Sequence, residues 1–168
     1  MTADELDPLL AEQVAYYRAR AAEYDATSPV GADDASRATL VHALEAFAPR
    51  GRVLELACGT GQWTATLARH ASQLTPIDSS PEVLAIAAER VQDERVHFIE
   101  ADIFEWQPDR RYDTVFFSAL LSHVPPQRFD RFWTLIADCL GHSSPTAWIR
   151  PAASSSSTNC RQWRRTSR

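Results

Sequence analysis

The chain has 168 residues, of which 45% are hydrophobic, 23% charged and 10% aromatic. This length and composition predict one domain with a buried core. No apolar run approaches the roughly 20 residues that a membrane-spanning helix needs, and the acidic start of the chain is unlike a signal peptide. The three cysteines form no C-x-x-C pair, which argues against a disulfide framework or a metal site. We therefore expect a cytoplasmic protein that binds neither a membrane nor a metal.

The net charge of −5 averages two unlike segments. All 17 basic residues are arginine, and residues 1–140 carry 12 of them against all 22 acids, a net charge of −10. Residues 141–168 carry five arginines and no acid, a net charge of +5. An acidic body argues against a specific nucleic-acid surface. The Ser- and Arg-rich composition predicts a disordered or aberrant tail over 141–168.

Hydrophobic spacing predicts two helices before any strand. The first runs over residues 9–24, and a loop with proline and glycine follows it. The second begins at Ser36, a favourable cap residue, and ends at Pro49.

From residue 52 onward the pattern alternates between strands and helices. The predicted strands are 52–57, 74–77, 96–99 and 112–120, and the predicted helices are 62–70, 82–91 and about 125–140. This alternation predicts an α/β fold of the Rossmann-like, doubly wound type with a mainly parallel sheet. After residue 140 only Thr146–Ile149 has the composition of a strand.

A glycine turn follows the first predicted strand, in the run VLELACGTG. Glycines at such a turn let backbone N–H groups approach a ligand closely. Glu55 lies within the strand, and a buried carboxyl group is costly unless it is paired, so we expect it to have a partner. A dinucleotide fingerprint has a third glycine where this chain has Thr64.

Two further acids end the next two predicted strands. Asp78 offers two acceptor oxygens, which suit the two hydroxyls of a ribose, but Asp is also a common helix N-cap. Asp102 can accept from an adenine amino group while the Ile103 N–H donates to a ring nitrogen. The alternative is that Asp102 is an ordinary turn residue, which Asp often is. All three acids fall at the carboxyl ends of strands, where open α/β sheets bind ligands.

The runs ELACGTGQW, IDSS, EADIF and YDTVFFSALLSHVP, in this order, resemble class I S-adenosylmethionine-dependent methyltransferases of the small bacterial type. The resemblance covers about residues 9–140 and implies S-adenosylmethionine as cofactor. It implies that Asp78 binds the ribose, that Asp102 and Ile103 contact the adenine, and that Ser118 lies near the sulfonium. The residues that it places around the methionine part are Glu55, Ala57, Gly59 and Gly61. Ala57 departs from the glycine that many members have.

The resemblance also implies that Tyr16 and Tyr24, on a cap helix at about residues 9–25, close over the cofactor. Tyrosines suit this role because they combine an apolar face with a hydrogen-bonding tip. His123, after the fourth predicted strand, is the one candidate catalytic residue. It is either a general base or substrate orienter, or a loop histidine with a structural hydrogen bond.

The sequence thus predicts transfer of a methyl group to an unidentified small-molecule acceptor. One alternative is a truncated methyltransferase that binds the cofactor without catalysis, because the family's C-terminal strands are expected to be missing after residue 140. A less favoured alternative is an NAD-dependent oxidoreductase, which Glu55 and the absent third glycine disfavour. A missing strand would expose the edge of the fourth strand, through which the chain could dimerise.

Overall fold

The computed structural model describes residues 34–140 and the backbone of Thr146–Ala147. The predicted cap helix with Tyr16 and Tyr24 lies outside the described residues, as does most of segment 141–168. The helices are α1 (Asp34–Phe47), α2 (Thr64–Leu67), α3 (Pro81–Arg90) and α4 (Phe129–Cys139). The strands are β1 (Arg52–Leu56), β2 (Gln73–Asp78), β3 (Ile99–Glu100), β4 (Thr114–Phe117) and β5 (Thr146–Ala147), and two 3₁₀ turns cover Leu121–His123 and Pro126–Arg128.

The strands form one sheet in the order β3-β2-β1-β4-β5, and every pairing among the described residues is parallel. The predicted first and second strands are confirmed. The third forms later than predicted, since Val96 makes only an isolated bridge to Leu74 and β3 begins at Ile99. The fourth is shorter than predicted, because Ala119 adopts a φ of 57° that turns the chain out of the sheet.

Apolar residues cover both faces of the sheet, which is the doubly wound arrangement that the alternation predicts. On one face, Leu54, Leu56 and Phe117 pack against Phe132 of α4. On the other face, the core joins α1, α2 and the strands, and its buried members are Leu44, Val53, Trp63, Leu67, Ala68, Ala71, Leu74 and Val91. Successive residues of β1 alternate between the two cores because strand side chains point to opposite faces.

The helix boundaries follow the predicted signals only in part. The N-cap of α3 is Ser80, whose hydroxyl accepts from the Val83 N–H, and Pro81 occupies the first helical position as expected. The predicted cap at Ser36 is wrong, since α1 already begins at Asp34. Helix α2 has only four residues and is flanked by turns, where the sequence predicts a helix over 62–70.

The last strand gives β4 a short neighbour on its outer side. β5 pairs with Thr114 and Val115, which confirms a strand near the predicted position. Over the part of the chain that is described, Phe116 and Phe117 have no strand partner on that side, so dimerisation through this edge stays a prediction. No helix within the described residues is long and apolar enough to cross a membrane.

Candidate cofactor and acceptor site

Strands β1 to β4 all end at one edge of the sheet. The chain passes from β1 outward through β2 to β3, and then crosses to β4 on the other side of β1. This reversal of strand order opens a crevice between the carboxyl ends of β1 and β4, which is where ligands bind in such sheets. The structure therefore gathers here the segments that follow residues 56, 78, 100 and 117.

The turn after β1 holds three residues in the left-handed conformation, Ala57 (φ 54°), Gly59 (φ 54°) and Gly61 (φ 77°). The two glycines have different surroundings. A Cβ at Gly61 would lie 2.9 Å from the Cβ of Ala87 on α3, so this glycine permits close packing between the turn and that helix. A Cβ at Gly59 would meet no atom of the described residues within 4 Å, so among these residues Gly59 faces open space at the mouth of the crevice.

Glu55 is 1% exposed and has the partner that the sequence predicts. The Thr64 hydroxyl, at the start of α2, donates to Glu55 Oε2 over 2.6 Å. The other oxygen, Oε1, is buried and has no hydrogen-bond partner among the described residues. The sequence indicates Thr64 only as the residue in place of the third glycine of a dinucleotide fingerprint. The signal that could have found it is a hydroxyl residue in the first turn of the helix that follows a buried acid.

Burial raises the pKa of Glu55 to about 8, the hydrogen bond from Thr64 opposes this rise, and the nearby charge of Asp78 adds to it. Burial likewise raises the pKa of the neighbouring Cys58 thiol, so this cysteine is an unreactive packing residue. Within residues 34–140, no three His, Cys, Asp or Glu side chains come together as a metal ion would require.

Asp78 joins the turn after β1 to the end of β2. Its Oδ2 accepts from the Gly59 N–H over 2.9 Å, and its Oδ1 accepts from the Ser80 N–H over 3.0 Å. Asp78 is therefore not the N-cap of α3, which is Ser80. The side chain is half-buried at the sheet edge, and its contact with a ribose stays a prediction.

Asp102 and Ile103 lie just past β3. Asp102 is exposed, and its Oδ1 accepts from the Phe104 N–H over 2.8 Å, which is the local turn bond typical of Asp. Ile103 is 9% exposed, and its N–H has no acceptor within the described part of the chain. The turn thus fixes the backbone donor, while the contact of Asp102 with an adenine stays a prediction.

The segment after β4 forms the opposite wall. Ser118 is half-buried directly after the strand, and Ala119 follows in the left-handed conformation. The Ser122 hydroxyl donates to the Ala119 carbonyl over 2.9 Å and closes this turn. His123 is half-buried at the end of the first 3₁₀ turn, and burial lowers the pKa of its imidazole. It is therefore neutral near pH 7.

These features suit a ligand with an amino-acid part and a nucleoside part. The unpartnered Glu55 Oε1 offers an acceptor for an ammonium group, the open side of Gly59 leaves room for a ligand, and Asp78 offers acceptors for hydroxyls. The Ile103 N–H offers a donor to a ring nitrogen. The described residues therefore fit S-adenosylmethionine, which combines these groups.

Residues 53–142, more than half of the chain, match the methyltransferase-domain family. The chain belongs to this family, and its fold and cofactor are those of class I S-adenosylmethionine-dependent methyltransferases.

Among characterised relatives, the chain is similar to trans-aconitate 2-methyltransferase of Escherichia coli O1:K1, with 35% identity over 105 residues. The alignment covers 59% of this chain and 41% of that protein. The trans-aconitate 2-methyltransferase of Shigella flexneri serotype 5b is also 35% identical, over 106 residues and the same shares of the two chains. The chain thus spans less than half the length of these relatives.

Among solved structures, the chain is similar to DhpI in complex with SAH, with 43% identity, a TM-score of 0.74, and coverage of 79% of this chain and 64% of that one. The N-methyltransferase NodS from Bradyrhizobium japonicum WM9, with S-adenosyl-L-homocysteine bound, is 20% identical with a TM-score of 0.61. That alignment covers 77% of this chain and 67% of NodS, and it supports the fold alone.

Proposed function

We propose that the protein methylates a carboxylate oxygen of a small organic acid. The observation that carries the proposal is the joint placement, at one sheet edge, of the open side of Gly59, the Asp78 carboxylate and the unpartnered Glu55 Oε1. The acceptor class is inferred from relatives that are named for trans-aconitate, a tricarboxylate.

S-Adenosylmethionine, when bound, supplies a methyl group attached to a positively charged sulfur. A nucleophile attacks the methyl carbon in line, and the sulfur leaves as a neutral thioether. The chain's own residues align the reactants and keep water away. Asp78 and the turn at Gly59 would hold the cofactor, and Ser118 would lie beside the reacting end. These roles are part of the proposal.

A carboxylate acceptor is consistent with a sheet edge at which His123 is the one candidate general base that the sequence offers. A carboxylic acid is ionised near pH 7, so it needs no general base before it attacks. His123 is then an orienting residue, and its neutral imidazole can donate one hydrogen bond to an acceptor oxygen.

The test uses the full chain, S-adenosylmethionine and a panel of di- and tricarboxylic acids that includes trans-aconitate, with matched alcohols and amines as controls. We expect a methyl ester of at least one acid by mass spectrometry, with stoichiometric S-adenosylhomocysteine. If the chain binds S-adenosylhomocysteine but esterifies no acid, the acceptor class is wrong. If no acceptor of any class reacts, the alternative of cofactor binding without catalysis holds.

The role of His123 is tested separately with His123→Ala and His123→Gln. If His123 orients the acceptor, His123→Ala should raise KM several-fold and leave the pH profile of kcat unchanged. His123→Gln should raise KM less, because glutamine retains a hydrogen-bond donor. If His123 is instead a general base, both substitutions should abolish the pH dependence of kcat that its titration causes.

A further inference from the structure

Glu55 is a buried titratable group that the methyl transfer itself does not use. It lies on β1 on the face covered by α2, and its carboxyl group has one hydrogen-bonded oxygen and one buried oxygen that finds no partner in the described part of the chain. A buried acceptor left unpaired costs about 1–3 kcal/mol. Such a cost persists in folded proteins mainly at functional sites.

The groups around this carboxyl favour its neutral form. Thr64 contributes a hydroxyl from α2, the turn contributes the Cys58 thiol, and β2 contributes the Asp78 carboxylate. On the β4 side the register partner is Phe116, which carries no charge. Among the described residues, no arginine or histidine forms an ion pair with Glu55. Within residues 34–140, Glu55 thus has a hydroxyl partner and no cationic one.

We propose that Glu55 carries a proton in the free protein and releases it to solvent when the ammonium group of the cofactor's methionine part binds at the turn. The proposal rests on the cofactor site described above, and it adds a proton to the binding equilibrium. The O–H bond of the carboxyl breaks, the proton passes to the buffer, and the carboxylate then pairs with the ammonium cation. The unpartnered Oε1 thereby gains a charged donor, which makes a strong hydrogen bond in a buried setting.

The protonation state follows from the environment of the carboxyl. Burial raises its pKa to about 8, so about nine-tenths of the free protein is protonated here at pH 7. An adjacent cation lowers the pKa of a carboxyl group, so the bound form should be ionised at the same pH. Cofactor affinity should then rise about tenfold with each unit of increasing pH and level off near pH 8, because the proton no longer has to be released above that pH.

The direct test is calorimetric titration of the full chain with S-adenosylhomocysteine at pH 7 in buffers with different ionisation enthalpies. The slope of the binding enthalpy against the buffer enthalpy counts the protons released. We expect a release of about 0.9 proton per site. The matched probe is 5′-methylthioadenosine, which keeps the nucleoside and the sulfur but has no ammonium group, and it should release close to none.

Glu55→Gln is the matched variant, because it keeps the shape of the side chain and cannot lose a proton. It should bind S-adenosylhomocysteine at least about tenfold more weakly at pH 8 and release no proton. Thr64→Val removes the hydrogen bond that opposes the rise in pKa, so at pH 8 it should release more protons than the wild type. Should Glu55→Gln fail to fold, the wild-type protein still gives an independent readout, since its protonated-carboxyl infrared band should disappear on binding.

Three results would overturn the proposal: S-adenosylhomocysteine binding without proton release, equal release in Glu55→Gln, or equal release with 5′-methylthioadenosine. Binding without release leaves the proposed methyl transfer intact. Complete absence of S-adenosylhomocysteine binding by the folded chain would overturn both.

Discussion

The two walls of the crevice are built differently. The first wall, residues 55–64 and 78–80, is held by a buried carboxyl–hydroxyl bond and by a carboxylate that accepts from two backbone N–H groups. The second wall, residues 118–128, consists of a left-handed turn and two 3₁₀ turns, and neither 3₁₀ turn contains a buried residue.

Under the proposed function, the first wall binds the cofactor and the second contacts the acceptor. A cofactor with fixed chemistry benefits from a preorganised wall, because ordering that wall on binding would cost free energy. Turns that are only partly buried tolerate substitution more readily than the sheet, so residues 118–128 could change without disturbing β1 to β4.

The first wall should make stability depend on pH through Glu55. The folded protein holds this proton more tightly than the unfolded chain, because burial raises the pKa of Glu55 from its ordinary 4.5 to about 8. The contribution to stability is therefore fully present below about pH 4.5 and is lost as pH rises toward 8, by roughly 1.4 kcal/mol per pH unit. Urea unfolding of the wild type and of Glu55→Gln, compared at each pH, should show this loss in their difference. A difference that is constant with pH would mean that Glu55 is ionised in the free protein.

The two glycines of the first wall should respond differently to the same substitution. Gly61→Ala places a Cβ 2.9 Å from that of Ala87 and forces a positive φ, so it should cost about 2–4 kcal/mol of stability. Gly59→Ala meets no atom of residues 34–140 and should cost only about 1 kcal/mol, through its positive φ. Thermal unfolding gives the stabilities. Equal losses in both variants would contradict the assignment of Gly61 to packing.

Asp78 should matter for both the turn and the ligand. Asp78→Ala removes the acceptor of the Gly59 and Ser80 N–H groups and should weaken S-adenosylhomocysteine binding about 10- to 100-fold. Asp78→Asn keeps one acceptor oxygen, so its loss should be smaller. Calorimetric titration measures both, and Asp109→Ala, on an exposed loop, is the control. Unchanged affinity in Asp78→Ala would place the ribose elsewhere.

The smallest expected change in stability comes from replacing the strained alanine in each wall by glycine. Ala57 and Ala119 both have a positive φ, which costs an alanine about 1 kcal/mol and a glycine almost nothing. Ala57→Gly and Ala119→Gly should therefore leave stability unchanged or raise it by up to about 1 kcal/mol, after allowance for the freer unfolded chain. Ala85→Gly, on the exposed side of helix α3, should lower it by about 1 kcal/mol. If Ala57→Gly and Ala119→Gly each lower stability as much as Ala85→Gly does, the two turns are not strained.

Much of the fold could be predicted because its signals are local. Strands β1 and β2 read as short apolar runs between turn residues, and Ser80 with Pro81 marks the start of helix α3. The boundaries of β3 and β4 could not be predicted in this way. They depend on how far neighbouring strands pair and on the positive φ of Ala119, which an alanine gives no local reason to expect.

The α/β class, the sheet edge at which the acids gather and the need of Glu55 for a partner can all be predicted from local signals, because periodicity, glycine turns and the cost of a buried charge are properties of the chain. Which residue becomes that partner depends on how the chain packs. The tertiary structure paired Glu55 with Thr64, assigned Gly61 to packing and Gly59 to the crevice, and joined Asp78 to the turn after β1 as well as to the start of α3. Each of these contacts joins segments that are separate in sequence, so their distances are set by the packing of the sheet and helices.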